Sequence, residues 1–427
     1  MTKRAETIID VFNLFKPEAL TEEQRNFYQK TAAVRSGEED EFYTTLYDHI
    51  VYSSTSARLL VVGHMGCGKS TELQMLMAKL TENSLPSIHI NAKDDLHLYN
   101  FTYIDLLILV VEKIGRYAID NELQINERLL ASFRAALGTH VTNEYLKECD
   151  EAGGEVELGV SAKFFCFARA AAKVSASLKM SSGYSDEIRQ EIKPRAYEII
   201  NTLNAFIENL KEQTAQPIVI IIDGLEKCIH ECVRSLFVED IATLSNIKAH
   251  LVISCPIAIY RSADANIFKG YFPTTVDIPM LKTQNKDGSL YCKGTGLIRE
   301  LILKRADETF FDKDALETII SKTGGNFRDT CNLVSNCAFH ARNKGIIDMD
   351  TVNFVLSKFA TEVFFRIKAD LYPRLKQIYD GDLDARHDPD LSELLYSGAV
   401  FEYNGQRWVD LHPLLRDYID NNKGILG

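Results

Sequence analysis

The stretch Gly63-His64-Met65-Gly66-Cys67-Gly68-Lys69-Ser70-Thr71 limits what this chain can fold into more than any other. It satisfies G-x-x-x-x-G-K-[ST] at every fixed position, and its flanks fit as well. Ahead of it, Ala57-Arg58-Leu59-Leu60-Val61-Val62 is a short apolar run rich in strand formers. Behind it, Leu73, Leu76, Met77 and Leu80 fall at i, i+3, i+4 and i+7, one face of a helix. A strand, a glycine loop and a helix in that order gather backbone N–H groups and the positive end of a helix dipole around one point. That is a cradle for phosphate. Gly63, Gly66, Cys67, Gly68, Lys69, Ser70 and Thr71 are thus expected around a nucleotide's phosphates, with Lys69 neutralising the β/γ oxygens and Ser70 holding Mg²⁺.

Such a site needs a second strand that ends in a carboxylate. Pro217-Ile218-Val219-Ile220-Ile221-Ile222-Asp223 supplies it, its β-branched run reading as a strand of a parallel sheet buried on both faces. Asp223 is expected to bind Mg²⁺ through a water. Glu226, three residues on, is the nearest acid able to orient an attacking water, or else a partner of Lys227. A third strand, His250-Leu251-Val252-Ile253-Ser254-Cys255-Pro256, places Ser254 as a polar sensor of the γ-phosphate. Arg261 beyond it reads either as an arginine finger or as an ordinary surface arginine. Asn91-Ala92-Lys93-Asp94 matches a guanine-reading motif by letters but lies too early in the chain for one, so ATP is the expected nucleotide.

Beyond residue 283 apolar strands give way to amphipathic helices. One carries Leu297, Leu301 and Ile302, and a second spans 312–321. Lys322-Thr323-Gly324-Gly325-Asn326-Phe327-Arg328-Asp329 then breaks the pattern before a third helix through Leu333, Cys337, Ala338 and Ala341. In the last 80 or so residues, helical stretches precede an Asn404-Gly405 pair set between two apolar runs, 399–403 and 406–411. That is a hairpin signal, because both turn residues must accept positive φ. Between residues 152 and 182, Val156, Leu158, Val160, Ala162 and Phe164 alternate with polar or small residues, as do Val174, Ala176, Leu178 and Met180. The alternation predicts an inserted β-hairpin, locally basic through Lys163, Arg169, Lys173 and Lys179. It is expected either to cover a sheet edge or to meet a partner or nucleic acid.

In this order the motifs resemble the AAA+ ATPases of the replication-initiator and STAND type, the resemblance covering about residues 57–427. It implies an α/β fold: a P-loop NTPase parallel-sheet core with a helical lid and a C-terminal winged helix. The implied divisions are 1–56, an N-terminal helical segment; 57–283, the ATPase core with the insertion near 152–182; 284–345, the lid; and 346–427, the winged helix. In initiator-type members a G-G-x-x-R segment of the lid turns an arginine to the phosphates, which makes Arg328 a catalytic candidate beside Lys69, Asp223 and Glu226. In STAND switches the lid reads G-G-x-P, where this chain has Phe327. An M-H-D histidine there contacts the ADP β-phosphate; Leu411-His412-Pro413 is similar, which makes His412 a nucleotide contact or else a buried structural histidine. Val34-Arg35-Ser36-Gly37-Glu38-Glu39-Asp40-Glu41 resembles the box that touches adenine, or is simply the acidic start of a helix over 38–50. Many AAA+ enzymes place a catalytic Glu directly after the strand's Asp; Gly224 stands there, which implies slow or conditional hydrolysis.

Lysine and arginine number 48 against 60 acids, a net charge of −12. That disfavours broad adhesion to DNA or anionic membrane, and the expected recognition helix of the winged module, 388–395, is itself acidic, with no lysine nearby in sequence. Nine cysteines at irregular spacing read as thiols of a reducing cytoplasm. No apolar run reaches the roughly 20 residues of a membrane span, and 104–111 reads as core; Met1 to Glu6 does not lead into a leader-like apolar stretch. The expected function is an Mg-ATP-binding, slowly hydrolysing switch whose nucleotide state controls homo-oligomerisation and a separate effector protein. Bacterial relatives of such architecture often serve antiviral defence. The alternatives are an AAA+ loader or remodeller acting on nucleic acid, and a nucleotide-stabilised scaffold with little turnover.

Overall fold

The computed structural model describes residues 2–155, 158–180, 183–382, 388–403, 408–422 and 424–426. Its centre is a parallel sheet of β1 (Arg58–Gly63), β2 (Ser87–Asn91), β3 (Val219–Asp223), β4 (His250–Pro256) and β5 (Thr274–Asp277), in the order β2-β3-β4-β1-β5. Every residue of β3 and β4 is buried, as the unbroken apolar runs require of strands covered on both faces. β4 lies between the other two site-bearing strands, with Val61 of β1 opposite Ser254 and Ile222 of β3 opposite Ile253. The glycine loop after β1 and Asp223 at the end of β3 therefore leave the same edge of the sheet, one strand apart. This is a P-loop NTPase fold.

Parallel neighbours need long crossovers, and the one from β2 to β3 is filled by helices: Tyr103–Asp120, Glu127–Glu151 (broken at Gly138), Val160–Lys179, Gly183–Ile192 and Ala196–Thr214. The apolar 104–111 run is buried core. The expected β-hairpin over 152–182 is not formed; Val160–Lys179 is one helix. Phe164, Phe167, Ala171, Val174 and Leu178 are spaced three and four apart and all are buried. Phe167 meets Phe133 at 5.4 Å and Phe164 meets Phe206 at 5.7 Å between ring centroids. The alternation misled because Val160 and Phe164, or Val174 and Leu178, lie four apart and satisfy a helix equally well. The alanines between them favour the helix. Val156, Ser181 and Ser182 lie outside the described residues.

The chain after β5 forms the helices Cys292–Arg305, Lys313–Lys322 and Phe327–His340, as the spacing predicted. Helices Met349–Phe365, Tyr372–Tyr379 and Pro389–Ser397 follow, then β6 (Val400–Tyr403) antiparallel to β7 (Trp408–Leu411), and helix Pro413–Asn421. Asn404-Gly405 lies outside the described residues. At the N-terminus, helix Ile8–Leu14 packs on Phe327–His340, burying Val11 and Phe15. The expected helix over 38–50 starts later, at Phe42, with Glu41 as its N-cap residue. No helix among the described residues is long and apolar enough to cross a membrane.

Candidate functional site

Lys69 opens the helix Lys69–Glu82 directly from the glycine loop, and its side chain is almost wholly buried. Its ammonium donates to Gly63 O at 3.0 Å and His64 O at 2.9 Å. Glu226 Oε1 lies 3.6 Å from it, while Glu226 Oε2 is buried without a hydrogen-bond partner. Asp223 accepts from Gly224 N–H at 2.7 Å, and the Ser70 hydroxyl bonds the same carboxylate. Gly224 stands at φ +81°, and a Cβ there would come within 3.1 Å of Asn91 Oδ1. A side chain directly after Asp223 would therefore be strained as well as crowded. The chain turns left-handed instead, and the short 3₁₀ turn Leu225–Lys227 swings Glu226 back beside Lys69.

Burial pushes the Asp223 carboxyl upward, and the charge of Glu226 pushes it further, against the Ser70 hydrogen bond. Burial acts on Glu226 in the same direction, yet Lys69, with help from Lys227 and Arg328, holds it below the usual carboxylate range. Of the two acids at the end of β3, Glu226 thus takes the buried lysine, and Asp223 is left with the Ser70 hydroxyl and Gly224 N–H.

These groups floor a cavity of about 690 Å³. Gly66 through Glu72 line it together with Asp223, Glu226 and Lys227; Arg305, Phe327 and Arg328 form a second wall. Gly63 stays beneath the loop, outside the lining, and contributes its carbonyl to Lys69. The third wall was not anticipated: residues 17–20 and 27–29 of the N-terminal segment line the cavity as well. Arg305 fixes this strap, its guanidinium over the rings of Phe15 at 5.8 Å and Phe27 at 5.4 Å. Phe15, Phe27 and Tyr28 in an otherwise polar segment were the available signal. Of the box read over 34–41, Arg35 braces the loop from behind, donating to Cys67 O at 2.8 Å and stacking over Phe327 at 4.6 Å. Glu38 and Glu39 are exposed.

The lid is docked on the loop. Asn326 caps its helix, accepting from the N–H groups of Arg328 and Asp329, and donates its amide to Met65 O at 3.0 Å. Phe327 N–H donates to Gly66 O at 3.1 Å. The approach is possible because Gly66 has no Cβ, which would lie 2.1 Å from Asn326 Oδ1. The C-terminal hairpin touches the loop as well: His64 Nε2 accepts from Glu402 N–H at 2.8 Å, and Tyr403 OH donates to Gly324 O at 3.1 Å.

Several expected roles are corrected by these positions. His412 is buried and does not line the cavity; it caps helix Pro413–Asn421 and sits 3.3 Å from Asp329 Oδ2, so it ties that helix to the lid. Arg261 is no finger: it chelates Glu402 within the chain and reaches Asp277 at 3.1 Å. Ser254 is buried with its hydroxyl 3.4 Å from Leu225 N, where it supports the Glu226 turn rather than facing the cavity. Three of the insertion's basic residues are paired with acids, Lys163 with Glu127 and Arg169 and Lys173 with Glu148, while Lys179 bonds the backbone Asp94 O. The acidic 388–395 segment has partners that sequence proximity hid, Lys368 on Glu393 at 2.8 Å and Arg374 on Asp388 at 2.6 Å.

The donor set fits Mg²⁺ accompanied by a phosphate. Ser70 and Asp223 offer hard oxygens side by side, and Glu226 Oε2 is an orphaned buried acceptor within the same acidic pair. Among the described residues no group of three acids, histidines or cysteines forms a closed cage. Mg²⁺ needs none, since it keeps waters and takes its remaining ligands from phosphate.

The model of the family described as KAP family P-loop domain matches residues 39–253, from just before the helix that precedes β1 into β4. Among solved structures, Cdc6p from Pyrobaculum aerophilum is similar at 12% identity and a TM-score of 0.39, over 95% of this chain and 98% of that one. The Thermotoga maritima RuvB Holliday junction branch migration motor is similar at 10% identity and 0.35, over 94% and 99%. No curated protein matches the sequence.

Proposed function

The chain belongs to the KAP family of P-loop NTPase domains, and from that premise we propose that it is an ATPase of AAA+ type that works as a slow conformational switch. One observation carries the reading: the lid and the C-terminal hairpin are hydrogen-bonded to the phosphate loop itself, through Asn326, Phe327 and Glu402. Whatever fills the loop is felt directly by both.

The chain's own groups divide the work as follows. Lys69 exchanges its carbonyl partners for β/γ-phosphate oxygens, a stronger, charge-assisted contact. Ser70 and Asp223 hold Mg²⁺, which when bound supplies charge neutralisation at the phosphates. Glu226, kept ionised by Lys69, accepts a proton from a water and turns it toward the γ-phosphorus. Arg328, at the first turn of the lid helix, adds positive charge at the phosphates only while the lid is down. Turnover is slow because Glu226 is drawn toward Lys69 and must be released to act. Residues 346–427 act as a winged helix that follows the lid. The output is a changed surface for a second copy of the chain and for a separate effector protein. Those partners, and a role in defence, rest on the motif order of the STAND type.

The test is ATP turnover by purified protein, with and without duplex and single-stranded DNA, beside Lys69→Ala. The expected result is low turnover, indifferent to DNA and lost in the variant. Strong stimulation by DNA would replace the switch with a loader, and undiminished turnover in Lys69→Ala would remove the site.

A further inference from the structure

The turn that carries Glu226 is held at its far end by the C-terminal part of the chain. Tyr396, in the last turn of helix Pro389–Ser397, donates its hydroxyl to Cys228 O, 168 positions away in sequence. Its ring stacks on His230 at 4.6 Å between centroids and 16° between planes, so the hydroxyl is aimed by the same segment that it bonds. Helix Ile257–Tyr260, directly after β4, packs against Pro389–Ser397 and seats that helix beside the site's edge of the sheet.

Glu226 thus faces two spaces. One is the nucleotide cavity. The other is a gap of about 10 Å³, room for no more than one water, bounded by Gly63, Met65, Pro256, Leu395, Tyr396 and Glu226 itself. Burial raises the Tyr396 phenol, and the Cys228 thiol and the Glu226 charge raise it further, which keeps the hydroxyl a donor.

What Tyr396 adds follows from what a nucleotide takes away. Glu226 Oε1 lies 3.6 Å from Lys69. A phosphate that draws the ammonium off removes that partner, and the aim of the carboxylate then depends on the backbone of its turn. The turn opens at Gly224, whose φ of +81° makes it a swivel rather than an anchor. Beyond it, Lys227 N–H donates to Gly224 O at 3.0 Å and Cys228 N–H to Leu225 O at 3.1 Å, while Ser254 Oγ lies 3.4 Å from Leu225 N. Those contacts belong to the turn itself and to β4. Tyr396 fixes Cys228, the residue that ends the turn, from outside the nucleotide core.

We propose that Tyr396 is a positioning residue for hydrolysis: by holding the Cys228 carbonyl it sets the turn that presents Glu226 to the attacking water, so that full turnover requires helix Pro389–Ser397 to be docked. This rests on Glu226 being the group that takes the water's proton. A base held slightly out of line costs rate, because the reacting atoms must be aligned within a fraction of an ångström. Nucleotide affinity does not depend on the contact, since Tyr396 is not part of the nucleotide cavity's lining.

The experiment compares single-turnover hydrolysis of radiolabelled Mg-ATP, and equilibrium binding of Mg-ADP, by the full chain as wild type, Tyr396→Phe, Glu226→Gln and the double variant. Tyr396→Phe keeps the ring and removes only the hydroxyl. It should slow hydrolysis about tenfold, the worth of one hydrogen bond, and leave Mg-ADP affinity within a few-fold. In the Glu226→Gln background the same change should have almost no further effect, because no base remains to be aimed. A tyrosine that served the fold at large would slow both backgrounds alike, and that result overturns the proposal. So does a wild-type rate in Tyr396→Phe while Glu226→Gln is slow. If Tyr396→Phe fails to fold, His230→Ala, which removes the stack that aims the hydroxyl, takes its place, and a wild-type rate there overturns the proposal. A wild-type rate in Glu226→Gln instead removes the base reading, and the positioning role goes with it. Hydrolysis by the wild type no faster than by Lys69→Ala would remove the ATPase reading and this proposal together.

Discussion

Replacing Arg261 with alanine should free the C-terminal hairpin while leaving the nucleotide core folded. The guanidinium meets Glu402 through Nε at 3.1 and 3.0 Å and through Nη2 at 2.7 Å, and reaches Asp277 at 3.1 Å. The Glu402 side chain is 3% exposed and that of Arg261 15%, so the pair sits largely out of water. Alanine would strand a buried carboxylate, at a cost of about 3–5 kcal/mol if nothing moved. A whole domain is stable by only about 5–15 kcal/mol, so relief by local motion is the cheaper course. The hairpin can find it by lifting away, which hydrates Glu402 and gives up the bonds from Glu402 N–H to His64 and from Tyr403 OH to Gly324 O. Amide hydrogen exchange reads the outcome. The Glu402 amide should exchange about 100-fold faster, the equivalent of about 3 kcal/mol, while the amides of β3 and β4 keep their protection. Adding Glu402→Gln to Arg261→Ala removes the stranded charge and should restore most of the protection. If the Glu402 amide exchanges at the wild-type rate in Arg261→Ala, the ion pair does not hold the hairpin and the reasoning fails.

Lys69→Ala should weaken ATP by about 10²-fold or more, because a charge-assisted phosphate contact disappears from a buried site; equilibrium binding of a fluorescent nucleotide measures it. Glu226→Gln should leave that binding within a few-fold and slow turnover by about 10²–10⁴-fold, since an amide takes no proton from water; unaltered single-turnover rates would move the role elsewhere. Stability should fall in acid through His64. Burial, with the charges of Lys69 and Arg261, holds its ring down to about 3 from the ordinary 6.5. The unfolded chain therefore binds the proton first, so the contribution is complete above about pH 6.5 and drains away as pH falls toward about 3. Thermal unfolding across that range should show a smaller acid loss for His64→Gln than for the wild type.

The phosphate half of the site was legible because its chemistry is local. Lys69 and Ser70 were located by the glycine motif between a strand and a helix, Asp223 by the β-branched run it ends and Glu226 by its place three residues on, and all four line one cavity. Arg328, expected at the phosphates only from the resemblance to the initiator-type lid, lines the same cavity. What was not legible depends on contacts between distant segments. The cavity wall at residues 17–20 and 27–29 has no motif, only aromatic residues whose partners, such as Arg305, lie nearly 300 positions away. His412 and Arg261 were left between two readings for the same reason: each has the right residue type near the right motif, and only the fold brings Asp329 and Glu402 to them. The 152–182 insertion failed differently. Small residues between its apolar positions made a period of 2 and a spacing of 4 indistinguishable, and the choice fell to packing against Phe133 and Phe206.

The loop's carbonyls show why its neighbours should sense the nucleotide. Gly63 O and His64 O accept from Lys69, Met65 O from the Asn326 amide, Gly66 O from Phe327 N–H and Cys67 O from Arg35. Each carbonyl from Gly63 to Cys67 thus has a donor. Holding those oxygens fixes the peptide planes, a preorganisation that glycine alone would not provide. The donors come from three places: the loop's own lysine, the lid and the N-terminal segment. A phosphate that draws Lys69 away releases Gly63 O and His64 O, and His64 is also the residue whose ring receives Glu402 N–H. The loop backbone is therefore the common element on which phosphate, lid, Arg35 and hairpin all act. A change in one contact alters the geometry offered to the others without any longer chain of coupled residues.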